Sequence, residues 1–116
     1  MLKSYNGFSG AQRERGARIL KKAIENGIIP APSKCKCILC GQDKGIRHYH
    51  NEDYSDENVV SDAKVLCWRC HMMLHSRFRH PLSFGQYMID VTINKKQFPP
   101  VFRGNAWEEL DRHFID

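Results

Sequence analysis

Two Cys-x-x-Cys units, Cys37-Ile38-Leu39-Cys40 and Cys67-Trp68-Arg69-Cys70, constrain this chain more than any other feature. The stretch between them is long enough for a hairpin. Four soft ligands delivered by two tight turns are what a tetrahedral zinc site requires. Cys35 competes with Cys37 for one position, because it also lies near Cys40. The Cys-x-x-Cys spacing, with Gly41 just beyond, favours Cys37 and leaves Cys35 a spare thiol. A thioredoxin-like redox role for either unit lacks the βαβ context it needs. Five cysteines are an odd number, and no apolar leader precedes them, so metal in a reducing cytosol is favoured over a secreted disulfide framework. No run approaches a membrane span or signal peptide. The expectation is a soluble, intracellular (cytoplasmic) protein.

Four sulfurs fill a structural zinc, so the histidines around them remain available for a second, open site. His71 and His75 stand four apart in a stretch without Pro or Gly, and on a helix both imidazoles project from one face. His48 and His50 stand two apart and would share one side of a strand. The Cys67–Cys70 knuckle begins the helix that carries His71 and His75. A strand histidine and a helix histidine pair, clamped by zinc, make a metal-and-base constellation.

The order Cys-x-x-Cys, strand histidines, Asp53-Tyr54-Ser55, then Leu66-Cys67-x-x-Cys70-His71-x-x-x-His75 resembles the HNH endonucleases. These belong to the ββα-metal, or His-Me finger, nucleases, here the small zinc-stapled kind common in phages and bacteria. The resemblance covers residues 37–75; the flanks match no motif of that family. It implies a zinc-stapled ββα-metal finger, and helix signals in the flanks complete the expected α+β fold with an N-terminal basic helix and C-terminal helices. It also implies cleavage of DNA phosphodiester bonds. Such hydrolysis needs a nucleophilic water, charge relief on the phosphate and help for the departing oxygen, which one base and one metal supply. The implied cofactors are structural Zn²⁺ and a catalytic divalent ion, Mg²⁺, Mn²⁺ or Ni²⁺.

His71 and His75 correspond to the family's helix ligands. On the first strand the family carries two adjacent residues, His-His or Asp-His, where this chain has His48-Tyr49-His50. Counting from Cys40 puts His50 at the general base and Tyr49, a poor ligand for Mg²⁺, at the metal. Either His48 replaces it from the same strand face, or a shifted register makes His50 the ligand. The middle residue of the motif, which orients the base through a backbone contact, has two candidates. Asn58 precedes Cys67 by nine positions and Asp62 by five, the latter nearer the family's spacing.

At 116 residues and 41% hydrophobic, the chain is expected to be one domain whose limited core a metal staple supplements. Its parts are a basic extension (1–34), the zinc-bound core (35–80) and a helical extension (81–116). The net charge of +5 lies wholly in residues 1–34, which hold seven basic and two acidic residues. A localised basic segment suits DNA, whose phosphates supply affinity without specifying sequence. Arg18, Lys21 and Lys22 on the first helix, with Arg47, Arg69, Arg77 and Arg79 around the motif, are the candidate phosphate contacts. A solvated face is the plainer reading of each. One site per chain means that a double-strand cut calls for a homodimer or two visits. The rival reading is a zinc finger that binds nucleic acid without cutting it.

Local signals place the helices. Ser9-Gly10-Ala11-Gln12 reads as a capping box for a helix ending near Asn26-Gly27, with Ala17, Leu20 and Ile24 as its apolar stripe. Strands are expected over 45–50 and 59–66. A helix over 83–93 is capped at Ser83, and a last helix is capped by Asn105, with Trp107, Leu110 and Phe114 on one face.

Overall fold

The computed structural model describes residues 2–116. Its described residues form an α+β fold with five α-helices: α1 (Gly10–Glu25), α2 (Val59–Asp62), α3 (Trp68–His75), α4 (Pro81–Met88) and α5 (Ala106–Asp111). Strands β1 (Arg47–His50) and β2 (Lys64–Cys67) make one two-stranded sheet. The chain divides into two units, one comprising the residues through Ala31 with Tyr49–Lys64, the other Pro32–His48 with Val65–Asp116. Among the described residues no helix is long and apolar enough to cross a membrane.

In the first unit, α1 opens where its cap predicts. The Ser9 side chain accepts from the Gln12 amide at 3.1 Å, and Gly27 takes φ +72° after the last turn. The buried stripe runs through Gly16 and Ala23, whereas Ala17, expected inside, is exposed. The reason is close approach. A Cβ on Gly16 would lie 3.1 Å from Val59 Cγ2 and 3.2 Å from the Tyr54 ring, so the backbone of α1 itself meets α2 and Tyr54.

Val59–Asp62, expected to begin the second strand, is helical, and β2 starts at Lys64. The Ser55 carbonyl accepts from both Asn58 N and Val59 N, which starts a helical turn, and Asp62 N donates to Asn58 O at 2.8 Å. Val59 is fully buried. Packing on α1 has overridden the strand preference of a β-branched pair.

In the second unit a core forms around Cys37, Cys67, Cys70, Met73, Tyr87 and Leu110. Helix α4 begins two residues before the expected Ser83, with Pro81 in its first turn and His80 at the cap position. Ser83 is a buried interior residue that accepts from Ile115 N at 2.8 Å and donates to the Asp116 carboxylate. Asp116 takes over the capping task by accepting from Leu82 N at 3.0 Å. The helix continues through Ile89–Ile93 as a π-helical turn, reaching the expected end.

Asn105 does not cap α5 through its side chain. Its Oδ1 accepts from Phe102 N at 2.8 Å and closes the preceding turn instead. Leu110 is buried, but Trp107 is 68% exposed, its ring edge-on to Trp68 with centroids 5.4 Å apart. Gly45 takes φ +75° where the chain passes Val101, whose carbonyl accepts from Ile46 N at 2.9 Å.

Candidate metal centres

The first knuckle is a tight turn in which Gly41 N donates to Cys37 O and Cys37 N to Gln42 O, both at 2.9 Å, with Gly41 at φ +79°. The Ile38 amide donates to Val65 O at 2.9 Å, tying this turn to the residue before Leu66 and Cys67. Cys67 ends β2 and caps α3, its sulfur accepting from Cys70 N at 3.4 Å. The four sulfurs of Cys37, Cys40, Cys67 and Cys70 consequently lie within 4.8 Å of one another, and Cys35 is not among them.

This set fits a structural metal such as zinc. Cys40 Sγ and Cys67 Sγ are 3.7 Å apart. Two sulfurs about 2.3 Å from one tetrahedral ion stand about 3.8 Å apart. None of the cysteines is in a disulfide. Crowding splits their ionisation: hydrogen bonds from Cys40, Cys67 and Cys70 push Cys37 strongly down, while the hydrogen bond to Cys37 first of all pushes Cys67 and Cys70 strongly up. Four bare thiolates repel one another in so small a buried space, and a dication removes that penalty.

The second unit also gathers three histidines. On α3, one turn brings His71 Nε2 and His75 Nε2 to 3.1 Å. Two nitrogens about 2.0–2.1 Å from a shared ion stand about 3.0–3.4 Å apart, so the pair has the spacing of neighbouring ligands. The same distance also serves a hydrogen bond between neutral imidazoles. The His48 ring meets His71 edge-on, with centroids 5.7 Å apart.

The first unit holds His50, Asn58 and Asp62. His50 is 6% exposed, with Nε2 2.5 Å from Glu52 Oε2 and its ring edge-on to Tyr5. Tyr5 donates its hydroxyl to the same Glu52 carboxylate. Asp62 Oδ2 accepts from the amides of Glu52 and Asp53 at 2.8 and 2.9 Å, and from Asn51 at 3.4 Å. Of the two candidates for the orienting residue, Asp62 is the one bonded to the backbone that follows His50. Asn58 donates to the Asp53 carboxylate at 3.0 Å and binds no backbone there.

The basic residues divide. Arg18, Lys21 and Lys22 are exposed on α1, as is Arg15, whose charge is matched by Asp56 at 2.8 Å. Arg79 is exposed. Arg47 donates to Gly45 O and Ser33 O, and Arg77 donates to Leu74 O while lying over the Phe78 ring. Arg69 requires correction as a phosphate contact. It is 2% exposed and donates to the carbonyls of Pro99 and Glu109, the Glu109 carboxylate and His113 Nε2. Its position in the first turn of α3 turns it into the core, where every hydrogen bond it makes is internal.

Three participants escape a reading of the sequence alone. Glu52, beside His50, looks like one more loop acid. Asn51 bonds Val59 O at 2.7 Å from a buried position. Tyr87 has the helical spacing of a core residue, yet its hydroxyl lies 2.9 Å from Cys70 Sγ. Only a buried hydroxyl's need for a partner could have hinted at it. No family model, no curated protein and no solved structure significantly matches this chain.

Proposed function

We propose that the protein is a metal-dependent endonuclease that hydrolyses DNA phosphodiester bonds in the manner of the HNH enzymes its sequence resembles. In this reading Cys37, Cys40, Cys67 and Cys70 hold a structural zinc, and His71 and His75 are ligands of a catalytic divalent ion. The observation that carries it is the 3.1 Å separation of the two Nε2 atoms on α3. The order β1, β2, α3, with one cysteine pair ending in the first turn of α3, agrees with a ββα-metal finger, although a short helix interrupts its hairpin.

A divalent cation supplies positive charge for the scissile phosphate and the leaving oxygen. The protein's own residues would supply the base. The Glu52 carboxylate on Nε2 of His50 favours a proton on that nitrogen and orients the imidazole that would take a proton from water. Asp62 holds the two amides after Asn51 and so restrains the segment that carries His50. His48 shares the strand face of His50 by alternation along β1 and is the alternative base or a third ligand. Exposed Arg18, Lys21 and Lys22 offer a phosphate-binding face without base reading.

Incubating purified protein with supercoiled plasmid and Mg²⁺, Mn²⁺ or Ni²⁺ tests this reading. Nicked or linear product that disappears on brief chelation, with folding checked by circular dichroism, is the expected result. Retention of DNA without cleavage under every metal would replace the nuclease by a zinc-stapled binding module.

A further inference from the structure

We infer that Tyr87 is a positioning residue of the cysteine cluster, a hydroxyl donor that holds and partly neutralises the Cys70 thiolate when metal is bound. The inference rests on reading that cluster as a zinc site. Tyr87 Oη lies 2.9 Å from Cys70 Sγ, and both side chains are buried, at 2% and 1% exposure. A metal-bound sulfur carries no proton. The hydroxyl must then be the donor, and the sulfur receives its bond at the position farthest from solvent among the four cysteines.

The ring is fixed for this task. It stacks on Phe98 with centroids 5.9 Å apart and takes the edge of His113 at 4.9 Å. A phenol, with an ordinary pKa of about 10, keeps its proton at neutral pH, so the oxygen carries the hydrogen that the sulfur accepts. The Cys70 amide donates to Cys67 Sγ at 3.4 Å, so with the Tyr87 hydroxyl on Cys70 both sulfurs of the second knuckle have an N–H or O–H beside them. Four thiolates on one dication leave a net negative cluster. Each N–H or O–H aimed at a sulfur withdraws part of that charge and strengthens the site, as outer partners of metal ligands do.

The test uses the full chain with Tyr87→Phe, which keeps the ring and removes only the hydroxyl. Zinc content of the parent protein is measured first. Near-stoichiometric zinc is expected, and its absence removes the zinc reading and the inference with it. With zinc present, competition against a chromophoric chelator should show affinity about 10- to 100-fold weaker in Tyr87→Phe. In the Co²⁺-substituted protein the sulfur-to-metal charge-transfer band should move to lower energy, because an unbonded thiolate is the better electron donor. Packing alone would not move that band. Unchanged affinity together with an unchanged band overturns the role of Tyr87 while leaving the zinc site standing. Should Tyr87→Phe fail to fold, a fluorinated tyrosine at this position, a stronger donor, should shift the band to higher energy, and no shift is the contradicting result.

Discussion

Arg69 donates a hydrogen bond to Nε2 of His113 over 2.8 Å, so this histidine must present a lone pair there and be neutral in the folded protein. Burial first, then the charges of Arg69 and Arg112, lower its pKa to about 4, against an opposing pull from Glu109 and Asp90. In the unfolded chain it returns to about 6.5. Between those values only the unfolded chain takes up the proton, so the stability contribution of this histidine is constant well above pH 6.5 and falls as pH drops toward 4. Urea midpoints of zinc-loaded protein should show this decline, and His113→Gln should flatten it between about pH 5 and 6.5. Parallel profiles would contradict the assignment.

Arg69 itself holds α3 to α5 and to the loop at Pro99. Replacing it with Met removes the donor from two carbonyls and from His113 Nε2, while Arg112 still pairs with the Glu109 carboxylate at 2.9 Å, so the loss should be about 1–3 kcal/mol. Chemical denaturation measures this. A loss below about 1 kcal/mol, the range of exposed ion pairs, would return Arg69 to the ordinary surface cations.

Gly45 is a second fixed point. An added Cβ would stand 2.5 Å from the Val101 carbonyl oxygen on a backbone already at φ +75°. Gly45→Ala should lower stability by about 2 kcal/mol or more, from left-handed strain and the clash together. Gly27, also left-handed but with nothing near its Cβ position, should tolerate Ala with only the conformational part of that loss. Thermal or urea denaturation of the two variants side by side measures the difference, and equal losses would contradict the clash at Val101.

These positions show where the sequence is transparent and where it is not. The cysteine knuckles, the Ser9 cap, the glycine stop of α1 and the one-turn pairing of His71 with His75 are local, so spacing reveals them. Spacing also ranks Cys37 over Cys35. Helix α2 is hidden because Val59 and Val60 prefer a strand in isolation, and only the bare backbone at Gly16 makes a helical turn there the better packed choice. Arg69 is hidden for a related reason. Its partners stand 30 and more positions away in Pro99, Glu109 and His113, and no local pattern announces a buried guanidinium. The capping of α4 by Asp116 is equally non-local.

The exposed charges of α1 make a separate prediction. Replacing Arg18, Lys21 and Lys22 by Gln should weaken DNA binding and reduce the slope of log K against log salt by about 0.9 for each phosphate the helix no longer neutralises. Binding isotherms across a salt series measure it. An unchanged slope removes α1 from the DNA interface.

The most direct measurement of the central claim is the single-turnover rate of plasmid nicking by the parent protein and by His50→Ala, at saturating DNA and divalent metal. An aligned base contributes about 10²- to 10⁴-fold. His50→Ala should lose a factor in that range while retaining zinc and DNA affinity, and His75→Ala should instead need more metal to reach its maximum rate. A dead His48→Ala beside a normal His50→Ala would move the base two residues along β1. Parent protein that nicks DNA at a rate unaffected by His48, His50, His71 or His75 would contradict the account.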